Sequence, residues 1–359
     1  MRGLSLMSTS AANAPGCRVT MRTRGIVMRL ILCAWLAAAT IPFANAEALT
    51  DRQTCLSGLR AGAPDGGVSS FDFDRLTRLS TWQSTTIEKS ERQPEFTIDW
   101  HTYHGRVVTA ERMAAGRTLL ATWKDVLSAI SASYHVDPAT VLAIWGIESN
   151  YGQSLGDVPV LDAWITRSCL EPQKPLWRDN VYASLRLVRD GVATQDAFTG
   201  SWSGAFGLTQ FIPASFEMYA RDGDGHGRID LYRSVPDALA STANHLAVRR
   251  TWLRGVPAAI EVRFPASVLA GMPQDGGELR DARLSRMGDW AARGMTRYNG
   301  EPLPSVLDER GARAAAFLPE GVRGRAFLIT QNFDALLAYN RSTKYALSVA
   351  LIAAAIEVP

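Results

Sequence analysis

Between Val141 and Gln153 the chain reads Val-Leu-Ala-Ile-Trp-Gly-Ile-Glu-Ser-Asn-Tyr-Gly-Gln. Asp137 and Pro138 stand just before it, a capping residue followed by a proline at the first helical position, where its missing N–H costs nothing. The segment is therefore expected to be a core helix that ends in a Ser-Asn-Tyr-Gly turn. Its one charged side chain is Glu148, at the exit. Two readings of that acid are open. It solvates the end of a core helix, or, desolvated by Ile144, Trp145 and Ile147, its pKa is raised enough for it to keep a proton near neutral pH and donate it. Helix pattern alone favours the first reading.

The first 46 residues read as a targeting segment and are set aside from fold reasoning. Arg22, Arg24 and Arg29 form a basic region, Leu30 to Phe43 an apolar run, and Ala44, Asn45 and Ala46 a cleavage site. The expected mature protein begins at Glu47 and is exported to the periplasm. The run is too short to span a membrane comfortably. Residues before about Met21 look like an over-long start, and the bulky Leu32 before Cys33 argues against a lipid anchor. The leader takes five of the 38 basic residues and none of the 35 acidic ones, leaving a net charge of about −2 with His neutral. A nucleic-acid surface is thereby disfavoured.

Two cysteines remain after cleavage, Cys55 and Cys169. Neither has another Cys or a His at metal-ligand spacing, so they form a disulfide or stand as two separately buried thiols.

Thr109 reads as a helix N-cap, with Met113, Leu119, Leu120, Trp123, Val126, Leu127, Ile130 and Tyr134 at helical spacing behind it. Further helices are expected over Val160 to Ser168, Arg178 to Asp190, Pro236 to Arg249, Asn332 to Tyr339 and Lys344 to Ile356. The pattern changes from Gly255: Ile260 to Phe264 alternates like a strand and Ala326 to Thr330 reads as another. The expected organisation is a helical region over 47–254, a small β-containing subdomain over 255–331, and C-terminal helices over 332–359.

Two loops carry further chemistry. Gly200 to Phe216 interleaves Gly200, Gly204 and Gly207 with aromatic and amide side chains. Exposed backbone beside aromatics and amides suits a sugar, and a Gly-rich turn leading into a helix suits the pattern equally. Arg221 to Asp230 resembles the first half of a calcium loop, with Asp222 and Asp224 as its first and third positions. His226 is a poor ligand at the fifth, Arg233 stands at the twelfth, and the next acid is Asp237. Ser234 and Asp237 also read as a capping box for the helix that follows.

Taken in order, residues 143–152, 200–215, the Asp222 loop and Tyr339 to Ala346 resemble the motifs of the lytic murein transglycosylase B family. The resemblance runs through nearly the whole mature chain. It implies a mainly α (α+β) fold, with a lysozyme-like helical catalytic core, a flanking helical part and a small β insertion. It also implies cleavage of the β-1,4 bond between N-acetylmuramic acid and N-acetylglucosamine in peptidoglycan without water. Glu148 matches the family's single acid/base, and Ser201, Gln210, Phe211, Tyr339, Asn340 and Tyr345 match its saccharide-contacting positions. No cofactor is implied as a requirement. A structural calcium at Asp222, Asp224 and Asp237 is the candidate metal. The chain departs from the pattern at Gln173 and Lys174, where an Arg pair is usual, at His245, where a Tyr is usual, and at His226.

One carboxyl suffices if the muramic C6 hydroxyl attacks C1 of its own sugar, giving a 1,6-anhydro product. Glu148 then protonates the glycosidic oxygen and afterwards takes the C6 hydroxyl proton. Asp162 is the nearest second carboxylate in sequence and is expected to be structural. The rival readings are a hydrolytic muramidase using the same acid with water, and a non-catalytic peptidoglycan-binding scaffold. Expected partners are glycan strands and the enzymes of wall synthesis or remodelling.

Overall fold

The computed structural model describes residues 43–90, 97–249, 252–272, 278–281 and 283–357. Of the leader read over residues 1–46, residues 1–42 lie outside them. Contacts divide the chain into Met1–Glu47 and Ala48–Pro359, and the architecture below is that of the second unit.

Its axis is the helix Pro138–Ser149, in which every residue from Ala139 to Gly146 is buried. A helix apolar on all sides has to be wrapped by others. Here the helices Ala110–Thr122, Lys124–Tyr134, Val235–Arg249 and Thr343–Glu357 pack against it. Pro138 takes the first turn as expected, but Asp137 does not cap it. Its carboxylate instead accepts hydrogen bonds from Trp252 Nε1 at 2.8 Å and Gly255 N at 2.9 Å. The start of the central helix is thus tied to the segment that leads into the sheet.

The exit is unusual. Asn150, Tyr151 and Gly152 follow one another with φ of 49°, 58° and 89°, a backbone that costs each non-glycine residue about 1–2 kcal/mol. Specific contacts offset that cost. The Ser149 hydroxyl donates to the Leu208 carbonyl at 2.5 Å and accepts from Gly152 N at 3.0 Å. The Tyr151 hydroxyl donates to the Arg112 carbonyl at 2.9 Å. Its ring fits because position 146 is glycine: a Cβ there would sit 2.7 Å from ring carbon Cζ.

Thr109 caps its helix through Arg112 N at 3.2 Å. The apolar stripe behind it belongs to two helices, because the backbone breaks at Trp123, where φ is −102° and ψ 20°. Cys55 and Cys169 form a disulfide with 5.7 Å between their Cα atoms, joining the helices Phe43–Gly62 and Val160–Leu170 across 114 residues of sequence.

Strands β1 (Val158–Pro159) and β2 (Thr199–Gly200) pair antiparallel. The other five, β3 (Ala259–Arg263), β4 (Leu279–Arg280), β5 (Thr296–Arg297), β6 (Ala314–Leu318) and β7 (Ala326–Thr330), form an antiparallel sheet in the order β4-β6-β7-β3-β5. Successive strand residues point to opposite faces, and the sheet uses both. Ala259, Ala315, Phe317, Phe327 and Ile329 join the helical core. Ile260, Val262, Ala316, Leu318 and Leu328 cover a second core with Met287, Trp290 and Met295. β3 and β7 match the expected strands. β6 was not legible, because an Ala-Ala-Ala run carries no strand signal.

Candidate active site

A cavity of about 580 Å³ opens beside Glu148. Glu148 stands in the last turn of the central helix. The C-terminal helix Thr343–Glu357 brings Tyr345 across from it, and the Tyr345 hydroxyl donates to Glu148 Oε1 at 2.7 Å. Burial, with the Glu148 carboxylate alongside, pushes the Tyr345 hydroxyl well above the usual phenol range, so it remains a donor. The neighbouring Tyr339 phenol is shifted upward for the same two reasons. Its hydroxyl donates to the Thr209 carbonyl at 2.6 Å, and its ring lies parallel to that of Tyr345 at 6.5 Å.

The opposite wall is the glycine-rich segment. Phe206 and Phe211 exchange backbone hydrogen bonds, each N–H reaching the other's carbonyl at 2.9 Å. The tight loop between them carries Gln210, at a φ of 50°, into the cavity. Gln210 Nε2 donates to the carbonyls of Gly207 at 3.0 Å and Leu155 at 3.2 Å. Ser201 also lines the cavity, its hydroxyl 3.0 Å from that of Ser203.

The glycines themselves serve packing, which favours the second of the two readings of this stretch, a glycine-rich turn leading into a helix. A Cβ on Gly200 would lie 2.1 Å from the Ala205 carbonyl, one on Gly204 2.4 Å from the Trp164 indole nitrogen, and one on Gly207 2.7 Å from the Leu231 carbonyl. The small residues let the loop press against its own protein, and that pressing aims Ser201 and Gln210.

Of the expected saccharide contacts, Ser201, Gln210, Tyr339, Asn340 and Tyr345 line this cavity with Glu148. Phe211 is buried in the core and borders a second cavity of about 260 Å³. Gln210, Ile212 and Tyr339 line both, so the two cavities share a wall. His245 lines the second cavity, buried and edge-on to Tyr219, Phe211 and Tyr339. Gln173 and Lys174 line neither cavity, and Lys174 Nζ pairs with Glu171 at 2.8 Å. Asp162 is likewise absent from both linings. Its Oδ2 accepts from Thr81 N and Oγ1, each at 3.0 Å, and from Gln83 Nε2 at 3.2 Å, so it anchors the segment 81–83. Tyr103, Arg167 and Trp202 also line the cavity. Trp202 belongs to the glycine-rich stretch already singled out for its aromatics, whereas nothing local in the sequence marks Tyr103 or Arg167.

Asp222, Asp224 and Asp237 bring carboxylate oxygens within 4.8 Å of one another. The capping box is only half made: Ser234 Oγ accepts from Asp237 N at 3.2 Å. The Asp237 carboxylate is instead buried in the loop, taking N–H bonds from Gly223 at 2.8 Å, Asp224 at 3.2 Å and Asp230 at 2.8 Å. Converging carboxylate oxygens suit a hard divalent cation, which takes six to eight oxygen ligands. His226 keeps its side chain 82% exposed, with Nδ1 3.2 Å from Asp224 Oδ1.

A helical core around one buried helix, with a cleft at its acid-bearing end, is a lysozyme-like architecture. The profile of the family described as Transglycosylase SLT domain matches residues 51–354, and the chain belongs to that family. It is therefore an enzyme, a lytic transglycosylase. It is 28% identical over 279 residues, 77% of this chain and 72% of the relative, to the membrane-bound lytic murein transglycosylase B of Escherichia coli (strain K12). Its fold is similar to that of SltB3 from Pseudomonas aeruginosa bound to NAG-anhNAM-pentapeptide. The TM-score there is 0.74 at 35% identity, over 86% of this chain and 80% of that one. The Escherichia coli lytic transglycosylase Slt35 in complex with calcium shares the fold, with a TM-score of 0.67 at 23% identity over 85% of this chain and 92% of that one.

Proposed function

We propose that this transglycosylase cleaves the β-1,4 bond between N-acetylmuramic acid and N-acetylglucosamine of peptidoglycan, leaving a 1,6-anhydro end, with Glu148 as acid and then base. The observation that carries the reading is that Glu148 is the sole carboxylate among the described residues lining its cavity. Most glycosidases use two carboxyl groups, one as acid and one as nucleophile or water-activating base. A single acid matches a route in which the nucleophile belongs to the substrate.

In that route Glu148 gives its proton to the glycosidic oxygen, and the N-acetylglucosamine side leaves as an alcohol. The muramic C6 hydroxyl attacks C1 of its own ring, and the Glu148 carboxylate takes the hydroxyl proton, which restores the acid. The nucleophile is tethered, so no water has to be ordered. The oxocarbenium-like charge at C1 is eased by the substrate's own 2-acetamido group. Tyr345, 2.7 Å from Oε1, holds the carboxyl in place through both steps, and Ser201, Gln210, Tyr339 and Asn340 position the sugars. Phe211 supports the same wall from behind.

Asp222, Asp224 and Asp237 would hold a calcium ion. Bound there, it supplies a structural cross-link between the loop and the helix Val235–Arg249 and takes no part in proton transfer. The leader of residues 1–46 places the enzyme in the periplasm, where glycan strands are its substrate and wall-synthesis or remodelling enzymes its companions. No helix among the described residues is long and apolar enough to cross a membrane.

Digestion of purified murein, followed by mass spectrometry, tests the reading. The expected products lack one water relative to hydrolytic ones. Products heavier by one water would make the protein a muramidase. Strand binding without turnover would make it a scaffold.

A further inference from the structure

Arg167 is a feature of the cleft that the proposed reaction leaves without a task. It projects from the helix Val160–Leu170 into the lining of the Glu148 cavity, where it is the one cationic residue among the described ones. It is only 9% exposed. A guanidinium taken from water needs something in place of its hydration. Part of that is present. The group sits 3.9 Å from the Trp177 ring centroid and 4.8 Å from that of Trp164, and Nη1 donates to the Ser203 carbonyl at 2.7 Å.

A counter-charge is not. Among the described residues no carboxylate lies within ion-pair distance of Arg167. Glu171, whose charge it feels, is held by Lys174 Nζ at 2.8 Å and Trp177 Nε1 at 2.7 Å. Burial lowers the Arg167 pKa only to about 10, so the charge persists at neutral pH. Its planar fork of donors matches a carboxylate, and the tryptophans hold that fork rigid at the cleft wall.

We infer that Arg167 recognises a carboxylate carried by the glycan, next to the bond that Glu148 cleaves. This rests on peptidoglycan being the substrate, as proposed above. Two groups on such a strand share the chemistry: the lactyl acid of a muramic residue whose peptide has been removed, and the acids of an intact peptide stem. Oligomers of N-acetylglucosamine carry neither. Arg167 thus sets specificity, while proton transfer stays with Glu148.

The test compares wild type, Arg167→Met and Arg167→Lys on stem-bearing and stem-free strands, with binding of a neutral N-acetylglucosamine oligomer as the control. Arg167→Met is expected to lose about tenfold or more in kcat/KM on the strand that supplies the acid, through KM more than kcat. Arg167→Lys is expected to recover part of the loss, and oligomer binding to stay unchanged. Loss confined to stem-bearing strands assigns the stem acids, loss confined to stem-free strands assigns the lactyl acid, and loss on both means that either fills the site. Equal loss including oligomer binding, or no loss on either strand, overturns the inference. Should Arg167→Met fail to fold, the wild type still decides: its affinity for acidic strands must fall with added salt more than its affinity for the oligomer. If the wild type cleaves neither strand, the proposed function fails, and strand binding by the same variants still tests Arg167.

Discussion

The Tyr345 hydroxyl reaches Glu148 Oε1 at 2.7 Å across 197 residues of sequence. A hydrogen bond to a group that is charged for part of the cycle is worth about 1.5–3 kcal/mol. Tyr345→Phe should therefore lower kcat about 10- to 100-fold with little change in KM. The ring stays packed, so the melting temperature should hold. Steady-state kinetics on soluble glycan fragments checks this, and an effect confined to KM would show that Tyr345 contacts sugar instead.

Glu148→Gln keeps the shape of the side chain and removes the transferable proton. Turnover should fall by about 10²- to 10⁴-fold, the usual worth of a positioned acid–base group, while strand binding persists. Release of anhydro-muropeptides, measured beside a pull-down on intact murein, separates the two effects.

Gly204→Ala places a methyl group against the Trp164 indole at a position whose φ is 83°. Left-handed backbone and overpacking each cost about 1–3 kcal/mol. The Ser201–Ser203 wall should shift with it, lowering both the melting temperature and activity. Retention of both would refute the packing role given to this glycine.

Calcium should raise the melting temperature and chelator lower it, because an ion bound only to the folded loop stabilises by mass action. Asp237→Asn should abolish that response. At temperatures where both proteins are folded, the variant should keep its product pattern, since the ion has no part in proton transfer. Thermal scans with and without calcium are the measurement.

Reduction of the Cys55–Cys169 bridge, or Cys169→Ser, should cost about 2–5 kcal/mol of stability, as for disulfides that close long loops. Denaturant unfolding with and without reductant reads this directly. Activity on murein should survive below the new midpoint, because neither cysteine lines the cleft.

Much of the site was legible one motif at a time. The apolar run into Glu148 carries its own signal, whereas Ser201, Gln210, Tyr339, Asn340 and Tyr345 are marked only by the resemblance to the transglycosylase B family. The structure sets these residues around one cavity. Phe211 sits behind the wall, and the glycines at 200, 204 and 207 fill close contacts within the protein. Arg167 was not legible, because an arginine on a buried helix looks like any helical arginine until Trp164, Trp177 and Ser203 gather around it.

The sequence by itself determined what depends on near neighbours: the start of the central helix at Pro138, its exit after Glu148, and the strand from Ala326 to Thr330. Helix entry, helix exit and strand alternation are short-range properties of the backbone. Only the tertiary structure decided that Asp137 ties the helix to Trp252 and Gly255 rather than capping it. The same holds for the alanines of 314–318, which form a central strand because both faces of the sheet are covered. Tyr345 is likewise the donor at Glu148 only because the last helix returns to the first motif. Each of these depends on groups far apart in the chain, whose contacts outweigh the local preference.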